Sequence, residues 1–285
     1  MKISVVMSAY NAEKWIEKAV MSVIESYCDA ELELIVVEDK STDGTMEVLG
    51  RLMADYEFTV IPHAQNMGAG WSRRHGIEAA TGDYVITIDS DDWIDRDFLH
   101  ILALRAEQTG ADIVSGGVSI EHADGSREIK YFPVKESKGM EKFKDYGDGK
   151  IIFLNNKLVR RELMQQVPYC TRRFCEDTPV VIPLLYLANK VAYADTAGYH
   201  YVQHAASLCH RTTALEKNLG DALCCMDCRN FFADKEREYR DIIPFSQFAG
   251  HVRLAKAALA GGEVPQEHVE DFARVMAYFI NGIDF

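Results

Sequence analysis

A chain of 285 residues has room for two modest domains, or for one large domain with an appendage. Its 48% apolar and 26% charged residues are ordinary for a globular protein and speak against a disordered or fibrous one. Asp and Glu total 44 against 31 Lys and Arg, a formal charge of -13; phosphate backbones attract positive surfaces, so this argues against broad nucleic-acid binding but leaves room for a local basic pocket.

The N-terminus MKISVVMSAYNAEKW carries a short apolar run without a small-residue cleavage site, so it reads as a first strand and not as a secretory leader. Nowhere do the roughly 20 apolar residues of a bilayer span run together. A cytoplasmic chain is expected, with peripheral membrane contact and a homodimer left open. The seven cysteines, 28, 170, 175, 209, 224, 225 and 228, include one CxxC, Cys225 and Cys228, inside a helical pattern. A zinc site needs about four ligands and no second pair accompanies it, so buried thiols are expected.

In chain order, ISVVM at 3–7 predicts a strand. Asn11 is then expected to cap a helix whose stripe is Trp15, Ile16, Ala19, Val20, Val23, Ile24 and Tyr27. A strand over 34–37, a helix over 45–55 after an STDG turn, and a strand over 58–61 follow. Next come a helix over about 69–80, the strand YVITI at 84–88, a helix over about 95–108 and the strand ADIVS at 111–115. This alternation implies a mostly parallel sheet covered on both faces, with the ligand crevice at the carboxyl ends of its strands. Residues 116–150 have weak strand signals and suit a loop-like excursion. TPVVIPLLYLAN at 178–189 predicts a buried helix that Pro183 must kink or start, and VAYADTAGYHYV short strands. Helical spacing of Leu215, Leu219, Leu223 and Met226, then a helix over about 266–280, predict a helical extension broken near Gly261, Gly262 and Pro265. The expected division is 1–115, 116–210 and 211–285.

Three acidic clusters fall where chemistry is expected. Glu38 and Asp39 end the second strand, Asp89, Asp91 and Asp92 end the fourth in IDSDD, and Glu176 and Asp177 sit in RRFCEDTPVV. A strand-end carboxylate can accept hydrogen bonds from a base or ribose. A dinucleotide fold would also need a glycine-rich first turn, whereas this one is SAYNAE; a GxxxxGK[ST] loop is absent as well. Crowded carboxylates in Asp-Ser-Asp-Asp suit Mg²⁺ or Mn²⁺ shared with phosphate oxygens, or alternatively an Asp-rich helix cap. NMGAGWSRRHG at 66–76 offers Gly68 and Gly70 for close backbone approach and Arg73 and Arg74 for phosphate, or simply surface arginines. Taken alone, Glu176-Asp177 before Thr178-Pro179 is also a good helix start.

Together these segments resemble the inverting family 2 glycosyltransferases, which have the GT-A fold. The resemblance rests on YNAEKWI, EDKSTDGT, NMGAGWSRRHG and GDYVITIDSDD, in the family's order and spacing over roughly the first 115 residues. NNKLVRREL, CEDTPVV and YHYVQHAASL extend it. It implies a nucleotide-diphosphate sugar as donor, UDP-sugars being commonest, with Mn²⁺ or Mg²⁺ as cofactor, in polysaccharide or glycoconjugate synthesis. A saccharide, lipid-linked glycan or protein hydroxyl is the implied acceptor. By position it implies Asp39 at the donor base, Asp89 at the ribose or diphosphate, and Asp91 at the metal. Ala9, Tyr10, Glu13, Asn66, Gly68, Arg73 and Ser90 are placed along the donor, and Lys157 and His204 at the diphosphate. Asp177 is the implied general base, with Glu176 orienting backbone or acceptor. Ser72, Arg74 and Val202 depart from the family pattern, which touches donor identity more than fold. The alternatives are a non-catalytic relative that binds a nucleotide sugar or a protein, and a sugar nucleotidyltransferase, which would ordinarily carry a glycine-rich basic loop where SAYNAEK stands.

Overall fold

In a computed structural model, residues 1–147, 153–168, 177–204, 212–240, 242–259 and 262–281 are described. The first four long strands are β1 (Lys2–Ala9), β2 (Glu31–Glu38), β3 (Thr59–Pro62) and β4 (Tyr84–Asp89). They lie side by side as β3-β2-β1-β4, all parallel. Helices α1 (Ile16–Ile24), α2 (Thr45–Asp55) and α3 (Ala69–Ala79) make the crossovers. β1 is apolar at nearly every position because both faces are covered. Ile3, Val5 and Met7 join a core that includes Ile16, Ala19 and Val20 of α1 and Leu49 of α2. Val6 points the other way, into a core with Ile77 of α3. At Gly76 a β-carbon would overlap Val6 Cγ1, so the missing side chain lets α3 lie directly on the sheet.

The predicted alternation over the first 115 residues is what forms, within a few residues at each end. Two details differ. Asn11 does not cap α1: it stands at φ 51 and its Oδ1 accepts a hydrogen bond from Thr42 N at 2.8 Å, tying the β1 turn to the β2 turn. Tyr27 falls beyond the end of α1 and is half exposed.

The second half both extends this sheet and builds most of a second, smaller one. After β5 (Trp93–Ile94) and α4 (Phe98–Thr109) come β6 (Ile113–Ser115), β7 (Val118–Glu121), β8 (Arg127–Lys130), β9 (Glu136–Ser137) and α5 (Glu141–Gly147). Then follow β10 (Lys157–Arg160), α6 (Arg161–Met164), α7 (Thr178–Leu187), β11 (Val191–Tyr193) and β12 (Tyr199–Val202). β10 inserts antiparallel between β4 and β6, giving the order β3-β2-β1-β4-β10-β6-β11-β9. A second sheet, β5-β12-β7-β8, stands apart from it. The expected loop-like excursion is therefore partly a β7–β8 hairpin, paired antiparallel from Val118↔Lys130 to Glu121↔Arg127. Its outer strand REIK is exposed throughout, which is why no apolar alternation marks it. Pro183 lies inside α7, a helix buried over residues 179–185.

The C-terminal helices are α8 (Ala214–Phe232), α9 (Arg237–Arg240), α10 (Phe245–Ala258) and α11 (Val269–Asn281). Thr213 and Glu216 form a capping box at the start of α8. Leu219, Leu223, Met226 and Phe248 join the same core as Val6 and α7, so these helices thicken one side of the main sheet. Cys224, Cys225 and Cys228 are buried, as expected, whereas Cys28 is only half-buried; Cys170, Cys175 and Cys209 lie outside the described residues. Among the described residues no helix is long and apolar enough to cross a membrane.

Candidate active site

The carboxyl ends of β2, β1 and β4 bring two of the acidic clusters to opposite sides of Ala9, the last residue of β1. On the β2 side Asp39 is only 2% exposed, and its carboxylate is largely engaged. Oδ1 accepts from Met67 N at 2.8 Å and faces His63 Nδ1 at 2.7 Å, and Oδ2 accepts from Gly68 N at 2.7 Å. His63 Nε2 in turn lies 2.8 Å from His75 Nδ1 on α3. Asp39 thereby anchors the loop that leads into α3, where Gly68 takes φ 89, a conformation that favours glycine. Lys40, next to Asp39, sits at φ 60, so the turn after β2, like the one after β1 with Asn11 at φ 51, holds a non-glycine residue in the left-handed region.

The EDKSTDGT segment is a wiring point for the same corner. Asp43 accepts from Thr45 N at 3.0 Å, from Thr45 Oγ1 at 2.5 Å and from Glu13 N at 3.2 Å. Glu13 returns a contact through Oε2, which accepts from Gly44 N at 3.2 Å. Glu13 thus closes the turn over α2. Tyr10 is 48% exposed, so its ring can meet a ligand, and Asn66 is exposed as well.

On the β4 side, Asp89, Asp91 and Asp92 bring carboxylate oxygens within 4.8 Å of one another. They are not equivalent. Asp92 is 2% exposed and accepts from Tyr199 Oη at 2.5 Å and Val202 N at 2.8 Å. Burial, then the nearby Asp91 and Asp89 charges, push its carboxyl well above the ordinary range. Asp91 is raised too, by burial and by Asp89, against the opposing pull of His204, whose Nε2 lies 3.0 Å from Asp91 Oδ2. His204 stacks on Trp15 at 4.1 Å with its plane tilted 17°. Asp92 is spent on structure, tying β12 to the acidic turn, while Asp89 and Asp91 face the crevice and Ser90 between them is buried. Closely set carboxylates with an imidazole beside them are a donor set that suits a hard divalent ion.

The third cluster joins the second through Arg73. Its Nη2 donates to Asp89 Oδ1 at 2.8 Å, and its Nη1 lies 3.6 Å from Asp177 Oδ1. Asp177 stands at the start of α7, and its Oδ2 accepts from Leu154 N at 3.2 Å. Its Oδ1 has no hydrogen-bond partner among the described residues. Burial raises its carboxyl above the usual range, with Arg73 opposing. Glu176 lies outside the described residues. Lys157, expected at a diphosphate, is 1% exposed and spends its ammonium on Phe153 O and on Asn156 Oδ1 at 2.8 Å. Burial lowers it to about 7, with Asp177 pulling the other way. That is a correction to the expected clamp, since a side chain so enclosed and so bonded supports the wall from inside.

Several residues of the site carry no recognisable signal. Asn155 Nδ2 donates to Asp89 Oδ2 at 2.7 Å while its Oδ1 accepts from Thr87 Oγ1 at 2.6 Å, fixing the second oxygen of Asp89. Trp15 reads as part of an apolar stripe and in fact faces His204. Tyr193 and Tyr199 are core residues, 0% and 1% exposed. Trp93, next to the Asp cluster, is half-buried, with His200 stacked on it at 3.5 Å and the Lys18 ammonium 3.8 Å from its ring centre.

Known proteins share this arrangement. The sequence model described as glycosyl transferase family 2 matches residues 4–168, more than half of the chain. A glycosyltransferase of Bacillus subtilis (strain 168), EpsH, is 29% identical over 218 residues, which are 73% of this chain and 63% of that protein. The chain thus spans less than two thirds of the length of that relative. The crystal structure of S. aureus TarS 1-349 in complex with UDP-GlcNAc superposes with a TM-score of 0.69 at 20% identity, over 99% of this chain and 82% of that one. A mannosyltransferase of Pyrobaculum calidifontis in complex with GDP-Man and Mn²⁺ gives 0.60 at 17% identity, over 96% and 80%. Parallel strands β3-β2-β1-β4, the antiparallel insertion of β10 and an acidic turn after β4 make a GT-A fold, and the match over residues 4–168 places the chain in glycosyl transferase family 2.

Proposed function

We propose that the chain is an inverting, metal-assisted glycosyltransferase that moves a sugar from a UDP-sugar to a hydroxyl of a saccharide, lipid-linked glycan or protein. The observation that carries this reading is the line Asp177–Arg73–Asp89, at 3.6 and 2.8 Å, which sets a poised carboxylate one guanidinium away from the acidic turn. A donor bound from Asp39 to Asp91 would present its anomeric carbon between the two. Residues 1–115 then serve the donor and 116–210 the acceptor. The UDP preference draws on the UDP-GlcNAc complex of TarS, while the GDP-Man complex of the mannosyltransferase keeps a guanine donor as the second candidate.

In the reaction Asp177 takes the acceptor hydroxyl proton on Oδ1 as that oxygen attacks the anomeric carbon. The bond from the anomeric carbon to the diphosphate oxygen breaks on the opposite face, and its electron pair leaves with the nucleoside diphosphate. One displacement needs one base, so the configuration inverts; a retaining route would need a carboxylate nucleophile placed behind the sugar. Burial favours this role for Asp177, since a carboxylate whose pKa is raised above its ordinary value is a stronger base. Asp91, with Asp89 and His204 beside it, would hold Mn²⁺ or Mg²⁺, which when bound offsets the charge of the leaving diphosphate. Arg73 supplies fixed positive charge between donor and base.

Turnover of UDP-, GDP-, dTDP- and CDP-sugars tests the reading, with Mn²⁺, Mg²⁺ or chelator, in wild type, Asp91→Ala and Asp177→Ala. Slow release of one nucleoside diphosphate that needs metal and both carboxylates is expected. Saturable binding of a donor without release, with or without a hydroxyl acceptor, would instead identify a non-catalytic binding protein.

A further inference from the structure

Two histidines outside every motif role assigned above stand in line behind Asp39. The distances are 2.7 Å from Asp39 Oδ1 to His63 Nδ1 and 2.8 Å from His63 Nε2 to His75 Nδ1. Their rings meet edge to face at 4.8 Å and 82°, so each nitrogen points along the line and not across it. The His63 side chain is 7% exposed and that of Asp39 3%. His63 follows β3 and His75 lies on α3, so the line fastens two crossover elements to the strand end that carries the carboxylate.

We infer that His63 and His75 are positioning residues that hold Asp39 as a fixed hydrogen-bond acceptor for the nucleobase of the donor, a role that rests on reading the crevice as a nucleotide-sugar site. An ionised carboxylate only accepts, and it offers about four lone-pair sites. Met67 N, Gly68 N and His63 Nδ1 take three of them, which leaves one position on Oδ2 without a donor among the described residues. Because Asp39 cannot donate, His63 must carry its proton on Nδ1. Its Nε2 then either accepts from a proton on His75 Nδ1, when the His63 ring carries one proton, or donates to His75 Nδ1, when it carries two. The proton on His63 Nδ1 is common to both forms. The consequence is selective. A base that presents a ring N–H, as uracil, thymine and guanine do, meets the open acceptor; cytosine presents a lone pair there and meets repulsion.

Two measurements test this on the full chain. The first is ¹⁵N NMR of the wild-type imidazoles, expected to show a proton on Nδ1 of His63; a His63 that carries its proton on Nε2 alone overturns the relay. The second is calorimetric binding of UDP, GDP, dTDP, CDP and inorganic pyrophosphate, all with Mn²⁺. His63→Ala is expected to weaken the preferred nucleotide about tenfold while leaving pyrophosphate unchanged, and His75→Ala to weaken it about threefold. His63→Asn, whose amide nitrogen stands near the place of Nδ1, should recover most of the loss and shows that the fold is intact. Equal loss for nucleotide and pyrophosphate, or no loss for either, overturns the positioning role alone. If wild type binds none of the four nucleotides, the donor site itself falls, and the role of the relay with it.

Discussion

The two acidic corners of the crevice are built on opposite principles, although both sit at strand ends a few residues apart on the sheet. At the β2 corner the Asp39 carboxylate is met by two backbone amides and an imidazole. At the β4 corner three carboxylates lie within 4.8 Å, and two of them are pushed above their usual range by burial and by neighbouring carboxylates. The first corner is complete before any ligand arrives. The second stores like-charge repulsion that only a cation or a proton relieves. Recognition calls for a fixed acceptor, whereas a leaving diphosphate calls for charge that can be assembled on demand.

The largest expected effect breaks the second corner. Asp91→Asn should reduce transfer by about three orders of magnitude by removing an oxygen that would hold the proposed metal, yet raise the melting temperature of the metal-free protein, because a repelling charge is gone. A drop in metal-free stability would show that the crowded corner is not frustrated. Next comes the base: Asp177→Asn should lower kcat by about 10³ with donor affinity retained, as read by single-turnover kinetics against calorimetry. Asp39→Asn should do the reverse, weakening donor binding more than kcat and destabilising the fold by about 2 kcal/mol through its unmet amides.

Two smaller effects sharpen the contrast by using charges with no ligand to bind. Glu33 lies at the far end of β2 from Asp39 and is met as fully. Burial would raise it, but Ser4 Oγ at 2.5 Å, the Thr81 amide and hydroxyl, and Lys2 outweigh that and hold it at about 2, below its ordinary 4.5. A lowered carboxyl contributes stability that is present above pH 4.5 and lost as the pH falls toward 2, so Glu33→Gln should flatten acid unfolding in that window. Lys157 is the opposite case. Burial lowers it from 10.5 to about 7, so above pH 7 the unfolded chain binds the extra proton and stability rises with pH up to about 10.5. Lys157→Met should remove that rise, measured as chemical denaturation at a series of pH values.

The legible and illegible parts of the chain divide along a physical line. Through β4, most elements are apolar runs or stripes, and short crossovers join β1 to β2 and β2 to β3, with one longer step from β3 to β4 on the other side of β1, so local pattern and global position largely agree. The acidic clusters could be read because they end strands whose place in the crevice follows from that topology. Beyond residue 116 the strands have two to four residues each, and β8 has no buried position at all. Their partners lie far off in sequence, as Lys157↔Ser115 and Tyr199↔Val118 do. No window of sequence contains such a pairing. The same reason hides Asn155, Trp15 and the two relay histidines, whose roles exist only once distant segments meet. Lys157 illustrates the converse: its motif position suggested a phosphate, and only the burial of its ammonium reveals a support.

One feature of the sheet bears on how the protein is made. β4 pairs with β1 along one side, and its other side is closed by β10, an antiparallel strand that begins at residue 157 although β4 ends at residue 89. A ribosome adding about ten residues each second therefore leaves the YVITID strand with an open edge for several seconds after its first pairing. Such an edge is a template for any other extended chain. The nascent protein passes through its most aggregation-prone moment while residues 90–156 emerge, and shielding at that interval, by a chaperone or by slow expression at low temperature, should govern soluble yield more than the stability of the finished fold.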